Sequence, residues 1–299
     1  MVKMGFTLPI AAPILFTGNT RYAYSTGRVR SLELRLVSSA AYSKLIATPI
    51  DELGRILTEY GYTFPQKIEN VEEISVFFQQ EKEALLKLME ELFIEPTTAE
   101  LPLYPHLFRR RFDFLNVATL AKEKVSSQYI KPLNTFPTIP LGLIEPALIR
   151  KAIDDERFDY LPAELASTLR DCFVAYEQQS TAETSPQPFI IDTLAERNYY
   201  LFLFTSLPTN KFIKGYYSLL FDFMNIANFI RFKLMEKNFK DFLEVYIPYG
   251  RTDFSIFKEL CELSLEQVPG KVLALGWKKD FVDAMQTALH KGSFVQLER

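Results

Sequence analysis

The chain has 299 residues, 48% of them hydrophobic, with 26 Phe and 15 Tyr against a single Trp, and a formal net charge of −3. That length and apolar content fill one large or two ordinary cores and exclude a disordered chain. The only compact basic run is Arg109-Arg110-Arg111, so the broad basic footprint that nucleic-acid binding needs is missing.

At the start, Lys3 precedes an apolar stretch from Met4 to Phe16, broken by Gly5, Pro9 and Pro13. It is too short for a bilayer and reads as an extended arm docked on a soluble body. Asn19 is placed to cap a helix carrying Tyr22, Val29, Leu32 and Leu36. Ser39–Ala47 reads as a further helical segment. Thr48-Pro49-Ile50-Asp51 has the form of a helix start, with a capping Thr and Pro at the first position, and Gly61 ends that short helix. Asn70 with Glu73 opens a longer helix, in which Ile74, Phe77, Phe78, Glu81, Leu85, Leu88, Met89 and Leu92 make a mainly apolar stripe. Helices are expected at about 105–127, 143–155, 162–178, 189–206, 211–244, 253–267 and 277–291. The run Tyr199–Phe204 has strand-like composition, but it sits inside a longer run without turn residues and reads as buried helix. Gln178–Pro188 is the one linker-like stretch.

Self-similarity is the most informative feature. Phe112–Lys124 lies over Phe221–Lys233 at an offset of 109 residues (Asp113 to Asp222), with six of thirteen positions identical. Average usage gives about one identity by chance. Ile139-Pro140-Leu141-Gly142 and Ile247-Pro248-Tyr249-Gly250 follow in the same order at an offset of 108 (Ile139 to Ile247). The pattern means a duplicated helical unit of about 110 residues, with the two glycines expected to supply an unusual backbone angle. Arg28-Val29-Arg30 matches Lys122-Glu123-Lys124 and Arg231-Phe232-Lys233, which suggests a partial third copy near the start. The expected division is an arm and first partial unit over 1–70, a second unit over 71–180 and a third over 181–299.

Asn is a poor helix-interior residue, because its side chain competes for backbone hydrogen bonds. Asn116 and Asn225 nevertheless hold one register in apolar helices, three residues after Asp113 and Asp222. The expectation is that Asp and Asn tie each helix to its neighbour, with Asp113 pairing with Arg109 or Arg110 and Asp222 finding a partner elsewhere. The helix around 216–235 is apolar almost all round and should be central.

Catalytic signatures are scarce. There is no P-loop or dinucleotide fingerprint. The two histidines, His106 and His290, and the two cysteines, Cys172 and Cys261, fall in no metal or triad spacing. No catalytic, cofactor-binding or metal-binding residue is expected. The alternatives are a free helical-repeat scaffold that binds some other protein and an all-α isoprenoid diphosphate enzyme. In the enzyme Asp154, Asp155 and Asp159 would hold Mg²⁺, with Asp280 and Asp283 as the nearest second cluster.

The order of motifs carries a family resemblance. Tyr22–Glu33, then Leu57-Thr58-Glu59-Tyr60-Gly61, then the two Asp-x-x-Asn helices, resemble the C-type central-stalk component of bacterial and archaeal rotary V/A-type ATPases, whose eukaryotic counterpart is the d-type component of the V-ATPase. The resemblance runs from about residue 20 to the last helix. It implies an all-α, funnel-shaped body of three pseudo-threefold-related helical units. It implies a passive part, one copy per complex, between central shaft subunits (D/F type) and the membrane rotor ring. The body would sit on the cytoplasmic face with no membrane span of its own. Arg28, Arg30, Lys122, Lys124, Arg231 and Lys233 are then contact candidates, and Asp113, Asn116, Asp222 and Asn225 structural ones.

Overall fold

A computed structural model of the chain describes residues 22–62, 71–92, 103–126, 136–178, 188–207, 210–292 and 294. All regular structure among them is helical. The elements are α1 (Ala23–Glu33), α2 (Ser39–Ala47), α3 (Leu53–Glu59), α4 (Val71–Leu92), α5 (Leu103–Ser126), α6 (Pro146–Asp154) and α7 (Ala163–Gln178). They continue with α8 (Phe189–Ser206), α9 (Lys211–Leu234), α10 (Phe239–Val245), α11 (Phe254–Glu262), α12 (Val268–Ala274) and α13 (Lys279–Lys291). The chain divides into two compact units, 1–105 and 106–299. Met4–Phe16, Asn19, Asn70 and most of the stretch Gln178–Pro188 lie outside the described residues.

In the smaller unit, Phe77 of α4 is buried against Leu53, Leu57, Tyr62 and Ile74. The Ser25 hydroxyl donates to the Leu92 carbonyl at 2.9 Å, pinning α1 to the end of α4. Two sequence expectations change here. Thr48 does not open a helix; it closes α2, its hydroxyl donating back to the Lys44 carbonyl at 2.7 Å. The next turn is a short 3₁₀ segment, Ile50–Glu52, before α3. Gly61 follows α3 with φ +81°, as the C-terminal signal requires. The apolar stripes are only half used, since Val29, Leu36, Phe78 and Leu85 stay exposed in this unit. Leu36 in fact lies beyond the end of α1.

The larger unit has a continuous aromatic interior. Phe114, Phe221, Phe229, Phe242 and Phe257 are fully buried. Phe229 meets Phe242 edge-on at 5.5 Å, Phe242 lies 5.3 Å from Phe257, and Phe221 meets Tyr200 at 5.6 Å. The run 199–204 is helix, and its Tyr199 and Tyr200 are interior. The second half of α9 is central, whereas its first half is half-buried or exposed, with Tyr216 open to solvent.

Two expected long helices are broken by local chemistry. The span 211–244 stops at Leu234. Glu236 adopts φ +55°, and the Lys237 amide reaches back to the Phe232 carbonyl at 2.9 Å, a Schellman-type ending. Asn238 and Asp241 then form a reciprocal capping box that opens α10. The span 253–267 likewise stops at Glu262, and Pro269 in the first turn starts the separate helix α12.

Replacing a fully enclosed ring removes both transfer energy and packing. Phe229→Ala is expected to destabilise the chain by about 3–5 kcal/mol. Phe212→Ala, at a side chain 81% exposed, should change stability by no more than about 0.5 kcal/mol. Urea midpoints of the two variants check the contrast.

Candidate functional site

The repeated polar residues form the same device twice, each time fastening a long helix to the loop before the next short one. On α5, Asn116 donates from Nδ2 to the Ile139 carbonyl and accepts from the Ile139 amide, both at 2.8 Å. On α9, Asn225 donates to the Ile247 carbonyl at 2.7 Å and accepts from the Ile247 amide at 2.8 Å. One side-chain amide thereby satisfies both polar groups of one loop residue. The aspartates one turn earlier hold the other end of the loop. Asp113 accepts from the Ile144 amide at 3.0 Å. Asp222 accepts from the amides of Arg251 and Thr252 at 3.0 and 2.9 Å. All four side chains are essentially inaccessible to solvent.

The glycines fit this picture for a reason other than the expected backbone angle. Neither Gly142 nor Gly250 has positive φ. A Cβ at Gly142 would stand 2.0 Å from Asp113 Oδ1, and one at Gly250 would stand 2.4 Å from Asp222 Oδ1. The loop passes so close to the carboxylate that only glycine leaves room.

The two copies differ in charge balance. Asp113 also pairs with Arg110 at 3.0 Å, and Arg110 continues to Glu164 at 3.1 Å. Arg109 instead donates to the Leu141 carbonyl at 3.2 Å. At the positions matching Arg109 and Arg110 the second copy has Ser218 and Leu219, and Asp222 is held by loop amides. Burial pushes the Asp113 carboxyl above its ordinary value, opposed by the Ile144 amide and the Arg110 guanidinium.

The basic candidates are mostly engaged within the chain. Arg28 reaches Glu91 at 3.3 Å, and Arg30 reaches Glu33 at 2.7 Å on the same helix. Lys122 pairs with Asp192 at 2.7 Å. Lys233 donates to the Leu260 and Cys261 carbonyls at 3.2 and 2.8 Å, placing a cation on the C-terminal pole of α11. Arg231 donates to the Asn228 side chain at 3.1 Å and lies 4.8 Å over the Phe294 ring. Lys124 is half-buried on α5.

Three supporting contacts had no sequence signal. Arg197 donates to the Tyr246 carbonyl at 2.9 Å, bracing the second loop from α8. Arg150 grips Glu123 through both its terminal nitrogens, which holds the Glu123 carboxyl below its ordinary value. The Phe136 amide also donates to Glu123 at 3.2 Å.

The acidic run at 154–159 is a helix ending. Asp155 is the C-cap of α6, and Glu156 takes φ +55°. The Asp159 carboxylate faces the Arg157 guanidinium at 2.9 and 2.8 Å. Asp154 and Asp155 border an open cleft of about 450 Å³, together with Thr138, Pro146, Arg150 and Lys151. Among the described residues no group of three His, Cys, Asp or Glu is arranged to hold a metal ion. Cys172 is buried, its thiol pushed up to about 12 by desolvation, and Cys261 is half-buried. His106 and His290 are exposed.

The twice-built clip fixes loops to helices, and the comparison with known proteins decides the family. The model of the ATP synthase (C/AC39) subunit family matches residues 25–299. The chain belongs to that family. Its relatives include the C subunit of the A-type ATP synthase of Methanosarcina acetivorans, 24% identical over 291 residues that cover 90% of this chain and 71% of the relative. The C subunit of the A-type ATP synthase of Methanosarcina mazei is 25% identical over 122 residues, covering 39% of this chain and 32% of that protein. No solved structure matches the chain. The C/AC39 match takes in both Asp-x-x-Asn helices, both clipped loops and most of α1. Among the described residues of this C/AC39 family member, no helix is long and apolar enough to cross a membrane.

Asn225→Ala strands the buried N–H and C=O of Ile247, and each unsatisfied group costs about 1–3 kcal/mol. A loss of about 2–4 kcal/mol in urea unfolding is expected, and Gly250→Ala should be at least as damaging. Asp113 supplies a pH test. Its carboxyl holds a proton more firmly folded than unfolded, so its contribution to stability is greatest at low pH. That contribution falls as pH rises from the ordinary value of 3.8 through the raised one. The stability of the parent minus that of Asp113→Asn should therefore shrink with rising pH across the acid range, read from urea midpoints; a growing difference would contradict the sign.

Proposed function

We propose that this C/AC39 family member is the non-catalytic rotor adaptor of a rotary V/A-type ATPase. It couples the central shaft subunits (D/F type) to the membrane rotor ring and transmits torque for ATP-linked ion transport. One copy sits on the cytoplasmic face of the membrane as part of the complex. The observation that carries the reading is the duplicated clip: two long helices, each locked through buried Asp and Asn to a loop that leads into a nine-residue helix. A torque-bearing socket must not yield between shaft and ring. Close-packed aromatics and side-chain locks that fix loops to helices supply that stiffness.

The three-part division of 1–70, 71–180 and 181–299 belongs to the same proposal, with the units closing as a funnel around a pseudo-threefold axis. It is supported by α2, which is nine residues long like α6 and α11 and is likewise followed by a short turn. In this reading Arg28, Arg30, Lys122, Lys124, Arg231 and Lys233 combine internal pairing with contact to ring or shaft. Exposed ion pairs are worth under about 1 kcal/mol, so exchanging such a cation between internal and external partners is cheap.

Reconstitution tests the proposal. With shaft subunits and ring present, the parent chain should co-purify with both and support ATP-driven ion uptake into vesicles. A complex carrying the Asn116→Ala, Asn225→Ala chain should hydrolyse ATP with uptake reduced, because a loosened adaptor slips. A complex that couples equally well without the chain would overturn the reading.

A further inference from the structure

The first third of α9 and the loop before α11 carry an aromatic and cationic patch that the clip does not use. Phe212 is 81% exposed, Tyr216 58% and Tyr249 50%. Phe212 and Tyr216 are four apart and share one helix face. Tyr249 stacks on Phe204 at 4.8 Å with an interplanar angle of 14°, and Lys214 Nζ lies 5.1 Å over the Phe204 ring. Arg251 donates to the Gly215 carbonyl at 2.8 Å, so loop and helix form one continuous surface.

Two features separate this surface from ordinary exposed residues. Tyr249 has φ +74°, a left-handed conformation that costs a non-glycine residue roughly 1–2 kcal/mol. In the other copy of the loop, Leu141 occupies the matching position, is buried, and is not left-handed. The strain therefore goes with laying the half-exposed Tyr249 ring on Phe204 rather than with the clip itself. The charge is also one-sided. The first turn of α9 has no acidic residue, and Lys211 and Lys214 have no carboxylate partner among the described residues. The neighbouring carboxylates are engaged: Asp222 is buried on loop amides, and Asp253 caps its own helix through the Ser255 amide.

We infer that this patch is a docking surface for an anionic lipid bilayer. Phe212, Tyr216 and Tyr249 would enter the headgroup and upper acyl level, and Lys211, Lys214 and Arg251 would meet lipid phosphates. Exposed aromatic rings flanked by long-stemmed cations are the pairing that suits a membrane–water interface. An acidic protein partner is the competing occupant. A stable complex of that kind wants about 800 Å² on each side around a central pocket, and the patch offers two exposed rings on one helix face and a third lying flat on Phe204. The inference is independent of the rotor reading, and either can fail alone.

The test is co-flotation of the full-length purified chain with vesicles of phosphatidylcholine containing about 30% phosphatidylglycerol, and with pure phosphatidylcholine. Binding to the anionic vesicles alone, weakened by salt, is expected. Lys211→Ala with Lys214→Ala, and separately Phe212→Ser with Tyr216→Ser, should each lower partitioning about tenfold. Lys278→Ala with Lys279→Ala, at exposed positions elsewhere, should not. Lys211, Phe212 and Tyr216 are exposed and Lys214 is half-buried, and unchanged melting curves confirm that the variants fold. A Phe212→Trp variant adds a direct readout, a blue shift in emission with anionic vesicles. Absence of lipid binding, or binding that the patch variants leave intact, overturns the inference. So does capture of a synthetic poly-glutamate peptide by the patch in the absence of any vesicle binding.

Discussion

Asn225 accepts a hydrogen from the Ile247 amide and donates one to the Ile247 carbonyl, in an interior where neither backbone group has water to turn to. Asn116 makes the same pair of bonds to Ile139. Most loops run over a protein's surface because their backbone groups need solvent. Here a side chain takes the place of solvent, so the loop can be packed against the helix. Asp113 and Asp222 fix the far end of each loop by accepting its amides, and the absent side chains of Gly142 and Gly250 make the close approach possible. The Asp, Asn and Gly of each copy thus determine where the nine-residue helix starts and which way it leaves.

The existence of this device is legible in the sequence, because a helix-interior Asn in an apolar register has no local benefit and its recurrence demands a tertiary one. Its partners are not legible. Helix-to-helix ties are the natural expectation, whereas both side chains hold loop backbone; the repeated Ile-Pro-x-Gly segments mark the loops, but not that the backbone of Ile139 and Ile247 is what is held. The glycines stand out in the sequence for a conformation they do not adopt; their role is steric and follows only once Asp113 and Asp222 are in place. Helix identity is legible throughout the larger unit, including the aromatic run 199–204. Helix continuity is not. Asn238 with Asp241 is a capping box within the mainly polar run Glu236–Asp241, and the apolar residues on either side of that run let one helix be read across it. Thr48 shows the reverse error, since a good capping residue can equally close the helix before it.

The polar lock fixes two loops of this family member through buried side chains rather than solvent. Carboxylates that look available for Mg²⁺ are accounted for by local structure, as a helix ending and an exposed ion pair with Arg157. The match to the ATP synthase (C/AC39) subunit family takes in both copies of the lock. The asymmetry between the copies matters as well. The first loop is braced by Arg110 and Glu164, while the second is braced by Arg197 from α8 and carries the half-exposed Tyr249. The two copies share the lock and differ in the surfaces around it.

Amide hydrogen exchange on the folded chain tests the lock most directly, because it reports on single loop N–H groups. If the side chains of Asp and Asn hold these loops, the amides of Ile139, Ile144, Ile247, Arg251 and Thr252 should exchange as slowly as those in the middle of α5 and α9, despite lying outside any helix. Exchange at the rate of exposed loop amides at these positions would contradict the account.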